Sequence, residues 1–390
     1  MSMNRRKFIR NLLVGSATVP VITACGGGGG GDGAGSSAGN GNGGQGGTDT
    51  GTTDPGQTLP ERTEALSFIV IGDMGTGTMG QYSVAAAMAK VAKVKGCDFV
   101  LGAGDNIYED GVTSVDDPRF LDSFEYPYQN LDLPFYMCLG NHDCASTIFG
   151  GGSDNQRGNH QVDYHYSTER YSNKWRMPAR YYNQVFGDAG DDRPFLELFV
   201  VDSNPLTSFY TDTDSNFTWQ NYGYPQQSWM KKTVADSRAH WKIAMSHVPY
   251  KSNGKHGNAG NLDPGMRWMF TNPDADGLRY KAFMEECFAD KADLLFTGHD
   301  HSLQWIEPVE EMGPAHIIVS GAAGKTDDFD DAERNPTVFQ QENALGFVWV
   351  RLTETEMQIE FYTVAEDGSG HQLAYSQTLD KPVAVEPALA

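Results

Sequence analysis

Seven short apolar runs, each stopped abruptly by glycine or a polar cluster, constrain this chain more than any other feature. They are SFIVIGDMG (67–75), DFVLGAGDN (98–106), PFYMCLGNHD (134–143), LELFVVDSN (196–204), WKIAMSHVPY (241–250), ADLLFTGHDH (292–301) and AHIIVSGAAG (315–324). Continuous runs of this length are what strands buried on both faces require. Helical patterns at 82–95, 226–238 and 277–289 fall between several of them. Strand–helix alternation predicts an α/β fold of layers joined by crossovers. GFVWVRLTETEMQIEFYTV (346–364) reads as an antiparallel pair, so the sheets are expected to be mixed. The stretch 144–194, rich in Gly, Asn, Arg and Tyr, reads as a long non-regular insert. Its aromatic residues favour an ordered lobe beside a site.

The front of the chain is of another kind. Arg5 and Arg6 begin a charged segment, and Leu12 to Ile22 is an apolar stretch too short to span a bilayer stably. The pair resembles a twin-arginine export signal, and Ile22-Thr23-Ala24-Cys25 resembles a bacterial lipobox. Residues 1–25 are therefore expected to be a lipoprotein signal peptide ending at Cys25, the lipidated residue. From Gly26 onward the composition is almost wholly Gly, Ser, Thr, Asp, Asn and Gln. Such a segment buries too little apolar surface to offset its ordering entropy, so 26–64 reads as a flexible tether. The body at 65–385 is then the catalytic domain, held by lipid in the periplasm or at the outer membrane or cell surface.

The formal net charge is −22. Phosphate-backbone binding needs clustered Lys and Arg, so nucleic acid is excluded as the main partner. A phosphorylated substrate would need local cations to override the average field. Beyond Cys25 the chain has Cys97, Cys138, Cys144 and Cys287. An oxidising envelope permits disulfides, and Cys138 with Cys144 is spaced for a short loop bridge. Their spacing fits no zinc pattern.

Five of the seven runs end in residues that can bind metal: Asp73, Asp105, Asn141, His247, and His299 with His301. A lone Gly-Asp after a strand is usually a turn, and a lone His is usually core or surface. Five in order, each at a strand end, point to one site, because ligands bind beyond the carboxyl ends of strands in α/β sheets. Carboxylates and an amide oxygen suit hard cations, while imidazoles suit Fe, Zn and Mn. The donors outnumber what one tetrahedral zinc uses, so two metals are the natural count. Two ions roughly 3.5–4 Å apart clamp the attacking and leaving oxygens of a phosphoryl displacement, with Asp105 the carboxylate best suited to be shared.

Gly-Asp-x-Gly at 72–75, Gly-Asp-Asn-x-Tyr at 104–108, Gly-Asn-His-Asp at 140–143, Ser-His at 246–247 and Gly-His-Asp-His at 298–301 resemble the metallophosphoesterase motifs. In particular they resemble those of the purple acid phosphatases of the small, tartrate-resistant type, within the calcineurin-like superfamily. The likeness runs from about 65 to 325. It implies a four-layer αββα sandwich of two mixed sheets flanked by helices, with a dinuclear site at the strand C-terminal ends. It implies that Asp73, Tyr108 and His301 bind Fe(III), and that Asp105 bridges. Asn141, His247 and His299 would bind a divalent Fe, Zn or Mn, with His142 close to the phosphate and His256 a second active-site histidine. The implied reaction is hydrolysis of small phosphate monoesters by a monomeric enzyme, a metal-bound hydroxide attacking phosphorus and His142 or His256 protonating the leaving group. The alternatives are a phosphodiester- or nucleotide-hydrolysing metallophosphoesterase, and a non-catalytic surface lipoprotein that retains the metal site. Diester-cleaving relatives generally lack the tyrosine and carry a histidine where this chain has Gly75. Two departures bear on substrate preference and are expected to leave the metals alone. GDMGTGTMG lacks the tryptophan usual after the first ligand, and 325–345 is unusually acidic.

Overall fold

Phe68 to Ile71, the centre of the first apolar run, are all fully buried in strand β1 (Ala65–Ile71). Burying each such side chain stabilises the fold by about 1.5–3 kcal/mol. Strands covered on both faces leave no place for alternating polar residues. The computed structural model describes residues 63–146, 150–190 and 192–381. The expectations for Arg5, Arg6 and Cys25, and nearly all of the 26–64 tether, lie outside the described residues. Among the described residues, no helix is long and apolar enough to cross a membrane.

Two seven-stranded mixed sheets form the body. In the first, β1 pairs in parallel with β2 (Phe99–Gly102), which pairs with β3 (Phe135–Met137) and then β4 (Trp175–Arg176). On its other side β1 runs antiparallel to β12 (Leu345–Thr353), followed by β13 (Glu356–Val364) and β14 (His371–Asp380). In the second sheet, β6 (Pro194–Val200), β7 (Trp241–Met245), β8 (Leu294–Thr297) and β10 (His316–Ser320) form the parallel centre. Antiparallel β5 (Tyr182–Asp188) edges it on one side, and β9 (Leu303–Ile306) and β11 (Thr337–Gln341) on the other.

Aromatic side chains join the facing sheets. Phe68 of β1 meets Phe296 of β8 edge-on at 6.0 Å, and Trp305 of β9 stacks on Phe361 of β13 at 6.2 Å. Helix α1 (Met79–Lys95), rich in alanine, lies against β12 and β13 of the first sheet. On the second sheet, Met230 and Val234 of α3 (Tyr224–Asp236) and Phe283, Met284 and Phe288 of α4 (Leu278–Phe288) share one core with Phe199, Leu295 and Ile317. The layers are thus helix, sheet, sheet, helix, as the resemblance implies.

Two expectations are corrected. The 144–194 stretch is not irregular: it carries helix α2 (Gln156–Tyr166) and strands β4 and β5. Only Gly158, Gln161 and Tyr164 of α2 are buried, so its buried stripe contains too little apolar character to be seen in the sequence. The short bridge between Cys138 and Cys144 is absent: these two, with Cys97 and Cys287, are free thiols. Cys144 instead takes a contact from Arg180 Nη2 at 3.4 Å.

Candidate metal centre

The parallel strands of both sheets stop at one edge, and the residues after them converge. Asp73 follows β1, Asp105 and Tyr108 follow β2, and Asn141 follows β3. His247 follows β7, while His299 and His301 fill the turn between β8 and β9. Asp73, Asp105 and His299 all have left-handed backbone, with φ of 57°, 51° and 70°. That region is uncommon for residues with a side chain and costs on the order of 1 kcal/mol each. Bonds between the loops hold these turns. Asp73 N–H donates to the Gly104 carbonyl at 2.9 Å, and Gly298 N–H to the His247 carbonyl at 3.0 Å. Asp73 Oδ2 accepts from His299 N–H at 2.7 Å, and Asp105 Oδ1 from His142 N–H at 2.9 Å.

The motif glycines have a steric reason. A Cβ on Gly104, whose φ is +85°, would stand 2.5 Å from His247 Nδ1, and one on Gly140 would run into Asp105. Asp143, the last residue of Gly-Asn-His-Asp, is buried and accepts from the N–H groups of Asn106, Ile107 and Gly140 and from Gln161 Nε2. It locks the Asp105 loop to the Asn141 loop from behind.

Two donor groups result, and each draws on both sheets. In the first, Tyr108 Oη lies 3.0 Å from Asp73 Oδ1 and 3.3 Å from His301 Nε2. His301 Nδ1 faces Asp327 Oδ2 at 2.8 Å, which puts the proton there and turns Nε2 toward the tyrosine and Asp73. In the second, His247 Nε2 lies 2.9 Å from Asn141 Oδ1 and 3.1 Å from His299 Nδ1. Asp105 stands between the groups, its Oδ1 3.4 Å from His247 Nε2. The potential ligand atoms of Asp73, Asp105 and His247 all lie within 4.8 Å of one another.

The second group carries the sharper test of whether these residues suit a metal. His247 Nδ1 faces the Ala103 carbonyl at 2.9 Å, and a carbonyl only accepts, so the ring proton sits on Nδ1. Asn141 Nδ2 donates to the Gly150 carbonyl at 2.7 Å, which fixes its amide orientation. Nε2 and Oδ1 therefore aim lone pairs at each other. A shared cation turns that repulsive contact into coordination. Burial lowers His247, and burial with the neighbouring imidazoles of His256 and His247 lowers His299 well below the usual range. Neutral imidazole is the form that binds metal. Burial and the Asp105 charge push Asp73 well up, and burial with Asp105 and Asp73 does the same to the Tyr108 phenol. Burial raises Asp105 as well, but His247 and His142 outweigh it and leave it lowered. Crowded buried oxygens of this kind are relieved by a bound cation.

His142 and His256 border the donors without joining them. Together with Asp105, Asn141, His299 and His301 they line a cavity of about 80 Å³. His142 Nδ1 contacts the Glu109 carbonyl at 2.5 Å, and its ring meets Tyr108 at 4.5 Å. The His256 ring packs on His299 at 3.8 Å and its Nδ1 lies 2.8 Å from Asp263 Oδ1, while the His256 backbone N–H donates to Asp300 Oδ1 at 3.0 Å. Burial pulls His256 down, but the charge and hydrogen bond of Asp263, with Asp300 and Asp327, push it up to about 9.

Several of these supporting groups escaped sequence reading. Asp263 and the Ala103 carbonyl carry no motif, and Asp327 is one of many acids in its segment. The expectation that 325–345 leaves the metals alone is corrected by Asp327: the acidic stretch reaches in to orient His301. Carboxylates that fix a ligating histidine commonly govern metal affinity. Asp327→Asn is expected to weaken metal binding roughly 10–100-fold, read by metal titration of the chelated protein. Unchanged affinity would leave Asp327 as packing only.

Residues 66–303 match the calcineurin-like phosphoesterase family. Purple acid phosphatase 4 of Arabidopsis thaliana is 28% identical over 338 residues, 83% of this chain and 87% of its own length. Tartrate-resistant acid phosphatase type 5 of Homo sapiens is 26% identical over 323 residues, 77% of this chain and 87% of its own. Among solved structures, GAP50, the anchor in the inner membrane complex of Plasmodium, matches with a TM-score of 0.62 at 19% identity, over 82% of this chain and 90% of that one. Purple acid phosphatase PPD1 from yellow lupin (Lupinus luteus) seeds matches at 0.56 and 15% identity, over 83% and 55%. At such identities the structures speak for the fold alone. The sequence match covers more than half of the residues and ends on the strand-end motifs themselves, so the chain belongs to the calcineurin-like phosphoesterase family.

Proposed function

We propose that the protein is an acid phosphatase that hydrolyses phosphate monoesters at a dinuclear Fe(III)–M(II) centre. The observation that carries the reading is the pair of donor groups sharing Asp105, one containing a phenol. Asp73, Tyr108 and His301 would hold Fe(III), and Asn141, His247 and His299 a divalent Fe, Zn or Mn. When bound, the metal pair supplies the Lewis acidity that offsets phosphoryl charge and lets water act as nucleophile in acid. The rest falls to the chain. His256, kept charged by Asp263, gives its proton to the leaving alkoxide. His142, held at the Glu109 carbonyl beside the cavity, steadies the phosphate. Arg5 and Arg6 with the Ile22–Cys25 sequence support export as a lipoprotein anchored through Cys25 in a bacterial envelope.

The test is a comparison of rates on an aryl phosphate monoester and the matching diester, with Fe(III) and a divalent metal supplied. Monoester hydrolysis is expected to dominate between about pH 4 and 7, where both the histidine acid and the nucleophile are available. Faster diester cleavage would move the assignment to phosphodiesters. Bound metal without turnover on either would make the chain a non-catalytic lipoprotein.

The His256–Asp263 pair has a signature independent of turnover. A histidine raised from 6.5 to about 9 by folding contributes stability that is complete below pH 6.5 and is lost as pH rises through about 9. In chelated protein, Asp263→Asn should therefore lower Tm most in acid, with the gap to wild type closing above about pH 9. A gap independent of pH would mean that Asp263 acts only through packing.

A further inference from the structure

Lys325 stands over the face of Tyr108, its Nζ 3.5 Å from the ring centroid, and pairs with Glu109 Oε1 at 2.9 Å. Its neighbours fix it there. A Cβ on Gly324 would lie 2.8 Å from the carbonyl oxygens of both Asp73 and Met74, so the backbone before Lys325 presses on the first ligand loop. Two residues on, Asp327 N–H donates to the His301 carbonyl at 3.0 Å while its carboxylate takes His301 Nδ1. The segment 324–327 is laid across the phenol-bearing donor group, pressed against the Asp73 loop at one end and bonded to His301 at the other. The lysine side chain is 27% exposed and that of Glu109 51%. An ion pair that open contributes little to stability by itself, so the pair is better understood as holding the ammonium in place.

We propose that Lys325 is a positioning residue that sets how strongly Tyr108 donates to the metal it binds. The proposal rests on Tyr108 being a ferric ligand. A coordinated phenolate spreads negative charge over its ring, and a cation above the ring face attracts that charge. Excitation from phenolate to Fe(III) carries electron density off the ring and away from Lys325. The ammonium thus stabilises the ground state more than the excited state and raises the energy of the visible band. The same pull withholds electron density from the ferric ion. Nothing in this depends on Lys325 touching substrate, which separates it from the histidines around the cavity.

The test is the visible spectrum of the iron-loaded protein for wild type, Lys325→Met and Lys325→Arg, with Tm measured to confirm folding. Lys325→Met should move the band to longer wavelength by on the order of 10 nm, given the strength of a cation–π contact at a partly exposed site. Lys325→Arg keeps a cation able to stack on the ring and should leave the band near its wild-type position. A Lys325→Met band that coincides with wild type overturns the proposal, as does a Lys325→Arg band shifted equally far. If wild type shows no such band, the ferric role of Tyr108 falls and takes the role of Lys325 with it. A band that is present but unmoved overturns Lys325 alone.

Discussion

Asp105→Asn is expected to reduce phosphomonoester turnover by about a thousandfold or more, while the fold stays as stable as before. The loss follows from giving up the one carboxylate placed between both donor groups. Metal stabilisation of phosphoryl charge amounts to several kcal/mol, and each 1.36 kcal/mol is about tenfold in rate. Two effects on stability oppose each other. Burial and the Asp105 charge push Asp73 up, so losing Asp105 relieves repulsion. Burial raises Asp105 itself, but His247 and His142 outweigh it and hold it lowered, so losing its charge costs stability. An asparagine Oδ1 still accepts from His142 N–H. In chelated protein, Tm should therefore stay close to wild type, which separates lost chemistry from lost folding. Turnover within tenfold of wild type would show that Asp105 is not shared between two ions.

Tyr108→Phe should abolish the visible band proposed for the iron-loaded protein. The ring is nearly buried and phenylalanine fills the same space, so the fold is kept. What disappears is the anionic oxygen, a hard donor that favours Fe(III) over Fe(II). Activity should fall less than in Asp105→Asn, because Asp73 and His301 remain to hold the ion. A band that survives the substitution would place the chromophore elsewhere and leave Tyr108 a core aromatic.

The difference between what was legible in the sequence and what was not follows burial and distance along the chain. The seven central strands announce themselves because both faces are covered and most of their positions are apolar. Strands β11 and β14 do not, since their residues are half-exposed or exposed and leave no continuous run. Strand β9 is only four residues and is hidden directly behind the His299–His301 turn. The donors are readable because each closes a strand within a glycine-bearing motif. Asp327 is not, because it reaches His301 across 26 residues from a run of acids that look alike. Asp263 is seven residues from His256, a spacing that means nothing until the loop between them closes.

Neither donor group belongs to one sheet. Asp73 and Tyr108 meet His301, and Asn141 meets His247 and His299, across the seam between the two seven-stranded layers. Each bound ion would therefore act as a rivet, with the spacing of the layers setting how well its donors converge. Core residues far from the chemistry inherit a part in it. Thinning the Phe68–Phe296 contact would let the layers close or slip, and the site would register that movement as poorer coordination before the sandwich itself came apart.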